Sequence, residues 1–361
     1  MKLEETKQDW IKAFGDKPLA IAGPCSAESQ EQVLRIAHEL DKDYVKVFRA
    51  GIWKPRTKPG SFEGIGEIGL KWLQKVKEET GLLVSTEVAS AEHVRLALEY
   101  GIDILWIGAR TTVNPFLVQE IAEAIKNYGG TDKIVLVKNP VNPDLDLWIG
   151  ALERLLAQGV TKLGVIQRGF SSYIKTKYRN NPQWQIVLDF KSRYPNIPVI
   201  VDPSHICGNR TGIQEIIQQG FNFEFEGTIT ETHYDPDNAW SDAAQQIVPA
   251  RLLEILKETE LRKHSGENSK YDTEISHLRS EIDQIDGQIW DLINARMGVV
   301  SKIGKLKKEY NVAVYQPERW EEIIKKSKEQ ASAIGLNPEF VEKIIKEFHQ
   351  ESLNIQNKIM S

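Results

Sequence analysis

Through roughly the first 260 residues, short fully apolar runs alternate with stretches of helical periodicity. The runs cover residues 19–22, 44–48, 82–86, 104–107, 134–137, 162–166, 199–201 and 223–225. They are rich in β-branched and aromatic residues and do not alternate apolar with polar. That pattern suits strands buried on both faces of a parallel sheet. Helical spacing lies between them, as over 28–40, 68–79, 91–100 and 114–126. Eight βα repeats in about 250 residues predict a (β/α)8 TIM barrel. A doubly wound open sheet is the alternative, and the even spacing favours closure.

Near Arg262 the pattern changes. Residues 264–270, His-Ser-Gly-Glu-Asn-Ser-Lys, are polar and aperiodic and read as a linker. Beyond them Ile275, Leu278, Ile282, Ile285, Ile289, Leu292 and Ile293 recur at helical spacing. They predict one long helix to about residue 309. Residues 311–317 break it, and two more helices follow over 318–333 and 338–359. The predicted organisation is a barrel at 1–262, a linker at 263–271 and a small all-α domain at 272–361. Three helices, one of them long, are too thin a bundle to bury their own apolar stripes. A homodimer or higher oligomer is therefore expected through this domain.

Composition narrows the classes. Of 361 residues, 41% are hydrophobic and 27% charged, which excludes collagen-like, disulfide-framed and wholly disordered chains. The net charge of −5 excludes a global basic field for nucleic acid or anionic lipid, but leaves room for a local basic pocket. The two cysteines, Cys25 and Cys207, cannot frame a secreted mini-domain. No apolar run approaches the ~20 residues of a membrane span. Residues 1–16 are charged and lack a signal peptide's apolar core. The expectation is a cytoplasmic protein with no nucleic-acid or membrane partner.

In such barrels the chemistry lies where strands end. The predicted strand ends carry Arg49, Lys54, Arg56, Arg110, Lys138 and Arg168. An acidic protein that gathers these cations on one face binds a strongly anionic ligand there, phosphate or carboxylate. Cys25, His205, Glu231 and Asp242 form a second set. A thiolate, an imidazole and two carboxylates suit a borderline divalent ion. Taken singly, Cys25 also reads as a small buried hydrophobe, His205 as a hydrogen-bonded structural histidine, and the acids as surface groups. The joint placement points to a site. Cys207 keeps the bland reading, with pairing to Cys25 under oxidation left open. Gly64-Ile-Gly-Glu-Ile-Gly69 has dinucleotide-loop spacing but follows no strand, so it is discounted.

These segments resemble the 3-deoxy-D-arabino-heptulosonate 7-phosphate (DAHP) synthases, in the subgroup similar to 3-deoxy-octulosonate 8-phosphate synthases. The resemblance covers about residues 19–256. It rests on Gly-Pro-Cys-Ser (23–26), Lys-Pro-Arg-Thr (54–57), Ile-Gly-Ala-Arg (107–110), Asp-Pro-Ser-His (202–205) and Glu-x-His (231–233) with the later Ser-Asp (241–242). Octulosonate synthases usually read Lys-Ala-Asn-Arg where this chain has Lys-Pro-Arg-Thr. The resemblance therefore implies phosphoenolpyruvate and D-erythrose 4-phosphate as substrates in the first shikimate step. It implies a divalent metal on Cys25, His205, Glu231 and Asp242, manganese first, with iron, cobalt or zinc as alternatives. It places phosphoenolpyruvate on Arg49, Lys54, Arg110, Lys138 and Arg168, with Arg110 and Arg168 on its phosphate. Arg56 and Thr57 would take the phosphate of erythrose 4-phosphate. Lys54 would protonate the developing alkoxide, with His205 as the other catalytic candidate.

The tail resembles the all-helical class of chorismate mutase over about residues 275–360. The first helix carries Leu278-Arg279-x-x-Ile282-x-x-Ile285-Asp286, and Arg296 and Lys307 fit the spacing. Arg319 opens the second helix, and Glu351-Ser352-x-x-x-Gln356 fits the third. The resemblance implies a chorismate site of Arg279, Arg296, Lys307, Arg319, Ser352 and Gln356, in an intertwined dimer where Arg279 acts in trans. Arg279 and Arg296 would clamp the two carboxylates of chorismate, and Lys307 and Gln356 would meet its ether oxygen. Two positions depart. The acid that often follows the second-helix arginine is Trp320, and the aspartate three residues before that arginine is Gln316. Glu318 is a candidate to compensate. A bifunctional enzyme is expected, with prephenate or chorismate on the tail regulating the synthase allosterically. The alternatives are a tail that only dimerises or binds an effector, and an octulosonate-type synthase.

Overall fold

The computed structural model describes residues 2–54, 60, 62–173, 176–262 and 269–361. It contains two compact units, Met1–His264 and Ser265–Ser361.

In the first unit eight parallel strands close into a barrel in sequence order. They are β1 (Leu19–Gly23), β2 (Val45–Arg49), β3 (Leu83–Val88), β4 (Ile104–Ile107), β5 (Ile134–Lys138), β6 (Leu163–Gln167), β7 (Val199–Val201) and β8 (Gly227–Glu231). β8 closes the ring on β1, with Leu19 opposite Gly227 and Gly23 opposite Glu231. Each strand leads to a helix of nine residues or more, α1 (Gln30–Glu39), α2 (Ile68–Thr80), α3 (Ala91–Glu99), α4 (Pro115–Asn127), α5 (Leu145–Ala157), α6 (Trp184–Arg193), α7 (Ile213–Asn222) and α8 (Pro249–Glu258). Side-chain caps start several of them, such as Ser29 on the Gln32 amide and Ser90 on the His93 amide.

The expected strand at 223–225 is displaced. These residues lie in the connection before β8. Phe223 and Phe225 pack on Trp184, outside the barrel, with ring centroids 5.4 and 6.1 Å away. The true strand is small and polar because β1 passes close to it, where a Cβ at Gly227 would strike the Leu19 carbonyl. Aromatic richness marked the packing partner, not the strand.

Strand side chains alternate between the barrel interior and the helix layer. Leu19, Ile21, Val47, Ile104, Trp106, Leu136, Ile166, Ile200 and Ile229 fill the interior. Trp10 joins this cluster from a short 3-10 helix, Asp9–Phe14, and donates its indole N–H to the Leu163 carbonyl at 3.1 Å. It thereby plugs the end where strands begin. Two residues onward along β2, β5, β7 and β8, the inward positions are Arg49, Lys138, Asp202 and Glu231. Period-two geometry therefore stacks an ionic layer on an apolar one at the C-terminal mouth.

The second unit has three helices, α9 (Ser269–Glu309), α10 (Pro317–Ala333) and α11 (Pro338–Met360). The long helix starts at Ser269, inside the segment read as linker. Among the described residues only Val300 and Ala331 of its hydrophobic side chains are buried. The seam expected on α9 is open, with Leu278, Ile282 and Ile285 more than half exposed. Among the described residues no helix is long and apolar enough to cross a membrane.

Candidate active sites

The ionic layer lines a cavity at the mouth of the barrel. Its walls include Cys25, Arg49, Lys54, Arg110, Lys138, Arg168, His205, Glu231 and Asp242. The structure thus brings together all four expected metal ligands and all five expected phosphoenolpyruvate residues. Arg56 and Thr57 lie outside the described residues.

Trp106, from the apolar layer, lies against two of these cations. The guanidinium of Arg49 sits 4.9 Å and the ammonium of Lys138 5.8 Å from its ring centroid. Its indole N–H donates to Glu87 at 3.1 Å. The buried cations are answered by buried acids: Arg49 by Glu231 at 3.2 Å and Lys138 by Asp202 at 2.9 Å. Only about 80 Å³ stays open between these groups. The close fit also requires Gly108, where a Cβ would overlap the Glu87 carboxylate.

Asp202 does double duty. It caps the one-turn helix Pro203–Cys207 by accepting from the His205 amide at 3.1 Å. It also lies 2.9 Å from Nδ1 of the same imidazole. That arrangement turns Nε2 toward Glu231, 3.8 Å away and beyond hydrogen-bond reach. On the opposite side Lys54 donates to Cys25 Sγ at 2.6 Å, and Sγ lies 3.2 Å from Asp242.

The electrostatics follow from burial and these partners. Burial and the Glu231 carboxylate push the Cys25 thiol up to about 12. It therefore donates to Asp242 as a thiol and accepts from Lys54. Burial lowers His205 and keeps its imidazole neutral, against the pull of Asp202. Burial opposes ionisation of Asp202, Glu231 and Asp242, but their neighbours outweigh it and hold all three carboxyls lowered. For Asp202 these are the hydrogen-bonded His205 imidazole and the Lys138 ammonium; for Glu231, the facing His205 imidazole and the Arg49 guanidinium; for Asp242, Arg179 and Lys54. Burial lowers Arg168 to about 10, which still leaves it charged at neutral pH.

Among the described residues, no three of the thiol, imidazole and carboxylate groups converge into a ready metal cage. They stand as two pairs, Cys25 with Asp242 and His205 with Glu231. The donor set nonetheless fits a divalent ion. A buried thiol beside two carboxylates loses its proton only when a cation arrives. The Asp202–His205 contact is the orientation a metal-bound histidine needs.

Sequence reasoning passed over several supports. Gln245 donates to Glu231 at 2.6 Å, and Gln246 accepts from the Cys25 amide at 3.0 Å. Glu28 accepts from the Trp240 amide at 2.7 Å and faces buried His233 at 3.6 Å, tying the β1 and β8 loops together. Glu87 was findable by strand parity and Asp202 by its Asp-Pro helix start. The glutamines carry no such signal.

The helical unit has its own cleft of about 560 Å³, lined by Arg296, Lys307, Arg319, Ser352 and Gln356. Arg296 donates to Ser352 Oγ at 3.0 Å, and Lys307 to the Val314 carbonyl at 2.6 Å. Burial lowers both cations' pKa, without discharging Arg296. Arg319 pairs with Glu322. The structure does not bring Arg279 to the cleft of its own chain. It lies seventeen residues before Arg296 on α9, about 25 Å along the helix axis. Gln316 and Trp320 line the cleft and Glu318 does not. Trp320 stacks on His349 at 4.0 Å, a residue that sequence reasoning passed over.

A closed barrel with a buried, multiply cationic C-terminal mouth is built to bind anionic ligands where barrel enzymes do their chemistry. Residues 2–264 match the family model described as DAHP synthetase I, and residues 278–357 match chorismate mutase type II. A phospho-2-dehydro-3-deoxyheptonate aldolase from Thermotoga maritima is 32% identical over 66% of this chain and 68% of that protein. A 2-dehydro-3-deoxyphosphooctonate aldolase from Geobacter sulfurreducens is 29% identical over 68% of this chain and 93% of its own length. The crystal structure of the Thermotoga maritima DAHP synthase superposes with a TM-score of 0.60 at 30% identity, covering 68% of each chain. The chain belongs to the DAHP synthetase I family and carries a C-terminal chorismate mutase type II domain. It is an enzyme of the shikimate pathway.

Proposed function

We propose that the barrel condenses phosphoenolpyruvate with D-erythrose 4-phosphate to DAHP and phosphate, and that the helical domain rearranges chorismate to prephenate. The cations gathered over Trp106 carry the first half of this reading. Arg110 and Arg168 take the phosphate of phosphoenolpyruvate. Arg49, Lys54 and Lys138 hold its carboxylate, which orients the nucleophilic C3 toward the aldehyde. Lys54, now on Cys25 and within 3.4 Å of Ser241 Oγ, supplies the proton that the new alkoxide takes. Water adds at C2 and phosphate departs. Cys25, His205, Glu231 and Asp242 hold a divalent ion, manganese first, which supplies Lewis-acid polarisation of the aldehyde when bound. Lys-Pro-Arg-Thr at 54–57 supports erythrose 4-phosphate as acceptor, with Arg56 and Thr57 on its phosphate. Likeness to octulosonate aldolases makes arabinose 5-phosphate the competing acceptor.

In the second half, Arg296 and the partner subunit's Arg279 clamp the two carboxylates, and Lys307 and Gln356 meet the ether oxygen. Ser352 steadies Arg296. The open seam of α9 supports a homodimer, in which Arg279 reaches the partner's cleft. Prephenate or chorismate bound there regulates the barrel.

The test follows phosphoenolpyruvate absorbance with each sugar phosphate, before and after chelation and manganese add-back. Consumption with erythrose 4-phosphate only, abolished by chelator and restored by manganese, is expected. Preference for arabinose 5-phosphate overturns the acceptor, and turnover unaffected by chelator overturns the metal. Synthase rates unchanged by saturating prephenate and by saturating chorismate overturn the regulation.

A further inference from the structure

The cleft of the helical domain contains a polar group that neither the resemblance nor the proposed chemistry uses. His349 lines it from α11, and its Nε2 is buried without a hydrogen-bond partner. Trp320 from α10 covers one face of the imidazole at 4.0 Å and 18°. Tyr315 lies at 6.0 Å, in the turn between α9 and α10. Burial lowers the pKa of His349, and the charges of Arg296 and Lys307 on α9 lower it further. It is therefore a neutral imidazole, with one nitrogen to donate and one to accept. Leaving a buried nitrogen unsatisfied is costly, and the residue that carries it lines the cleft, so a small rotation of the ring brings it a partner there.

The proposed substrate has four polar groups. Its two carboxylates are claimed by arginines, and its ether oxygen by Lys307 and Gln356. Only the ring hydroxyl is unassigned. The acid that would have followed Arg319 is Trp320, and Glu318 does not line the cleft. We propose that His349, held flat by Trp320, is the group that hydrogen-bonds the substrate hydroxyl in this chain. Trp320 is then the wall that sets the imidazole's plane, and the stacked pair replaces the missing carboxylate. A neutral acceptor beside Arg296 and Lys307 leaves those two cations for the substrate, whereas a carboxylate would compete for them.

This inference rests on the mutase reading, and the experiment separates the two. The full-length protein is assayed with chorismate and with its 4-deoxy analogue, as wild type, His349→Phe and His349→Gln. Phenylalanine keeps the aromatic stack and deletes the nitrogen. Glutamine restores a polar atom. With chorismate, His349→Phe is expected to raise KM about tenfold with kcat little changed, the size of one hydrogen bond made in ground and transition states alike. His349→Gln should recover most of that loss. On the 4-deoxy analogue the wild type and His349→Phe should agree within about twofold, since neither has a hydroxyl to bind. Equal losses on both substrates, no loss on chorismate, or no recovery with glutamine overturn the assignment while leaving the mutase standing. A wild type that does not turn over chorismate overturns both.

Discussion

The two units of this chain treat their apolar surface in opposite ways. In the barrel, Ile21, Ile104, Ile166 and Ile229 are at most 1% exposed, and the ionic layer above them is paired within the same chain. On α9, Leu278, Ile282 and Ile285 are 53–56% exposed, and Arg279 is far from its own cleft. A barrel closes by pairing its last strand with its first, so the strand ends of one chain converge on one mouth. A long helix packed by two shorter ones leaves a stripe uncovered, which the proposed homodimer would cover. The described cations and donors of the first site all come from one chain, whereas the proposed second site calls on Arg279 of another.

The comparison breaks first on chemistry. Glu231→Gln removes the partner of Arg49 and one proposed metal ligand together. Phosphoenolpyruvate consumption should fall by about 10³-fold or more, because metal and substrate anchor weaken at once. Chorismate turnover should stay within about twofold. Loss of both activities would mean that the barrel chemistry and the helical cleft are not separable.

The next effect tests incompleteness. Arg279→Ala and Arg296→Ala should each lower chorismate turnover by about 10²-fold or more. Mixed and re-equilibrated, the two variants should regain about a quarter of wild-type activity, because half the dimers are mixed and each mixed dimer has one intact site. Absence of recovery would place Arg279 outside the partner's cleft.

Stability separates the units in a third way. Ile229→Ala in the barrel interior should cost about 2–5 kcal/mol at any protein concentration, read from denaturant melts. Ile285→Ala should cost less than about 0.5 kcal/mol in dilute samples and progressively more as concentration rises, because its burial requires association. Parallel, concentration-independent losses would contradict an open seam on α9.

The same contrast explains what could be read from the sequence. Strand periodicity located seven strands within one or two residues, because buried parallel strands are uniformly apolar. It failed at 223–225, where Phe223 and Phe225 pack on Trp184 and the actual strand is Gly-Thr-Ile-Thr-Glu. The expected cations and donors lie together because strand ends converge on one mouth. Their answering groups were harder to find. Gln245 and Gln246 reach Glu231 and the Cys25 amide from a loop far along the chain, and no local pattern announces a glutamine's partner. His349 was missed for a related reason. Its place depends on Trp320 stacking from another helix, and one histidine on an amphipathic stripe looks like any other.

The smallest effect concerns the ionic tie between α10 and α11. Glu342 bridges Lys328 of α10 and Lys346 of its own helix, both at 2.7 Å. Their ammonium groups lower its carboxyl from the ordinary 4.5 to about 2. A carboxyl whose folded-state value is depressed stabilises the fold above its unfolded value, and that contribution disappears as pH falls toward the folded one. The cluster is partly exposed, so screening limits it to about 0.5–1 kcal/mol. Lys328→Ala should therefore lower the melting temperature of the helical unit by about 2–8 °C at pH 6. The gap to wild type should shrink between pH 4.5 and 2, where Glu342 takes up its proton. A gap that is constant across that window would assign the loss to the packing of the Lys328 stem instead of its charge. The helical unit would then be held by apolar contact after all, and the contrast with the barrel would narrow to the open seam of α9.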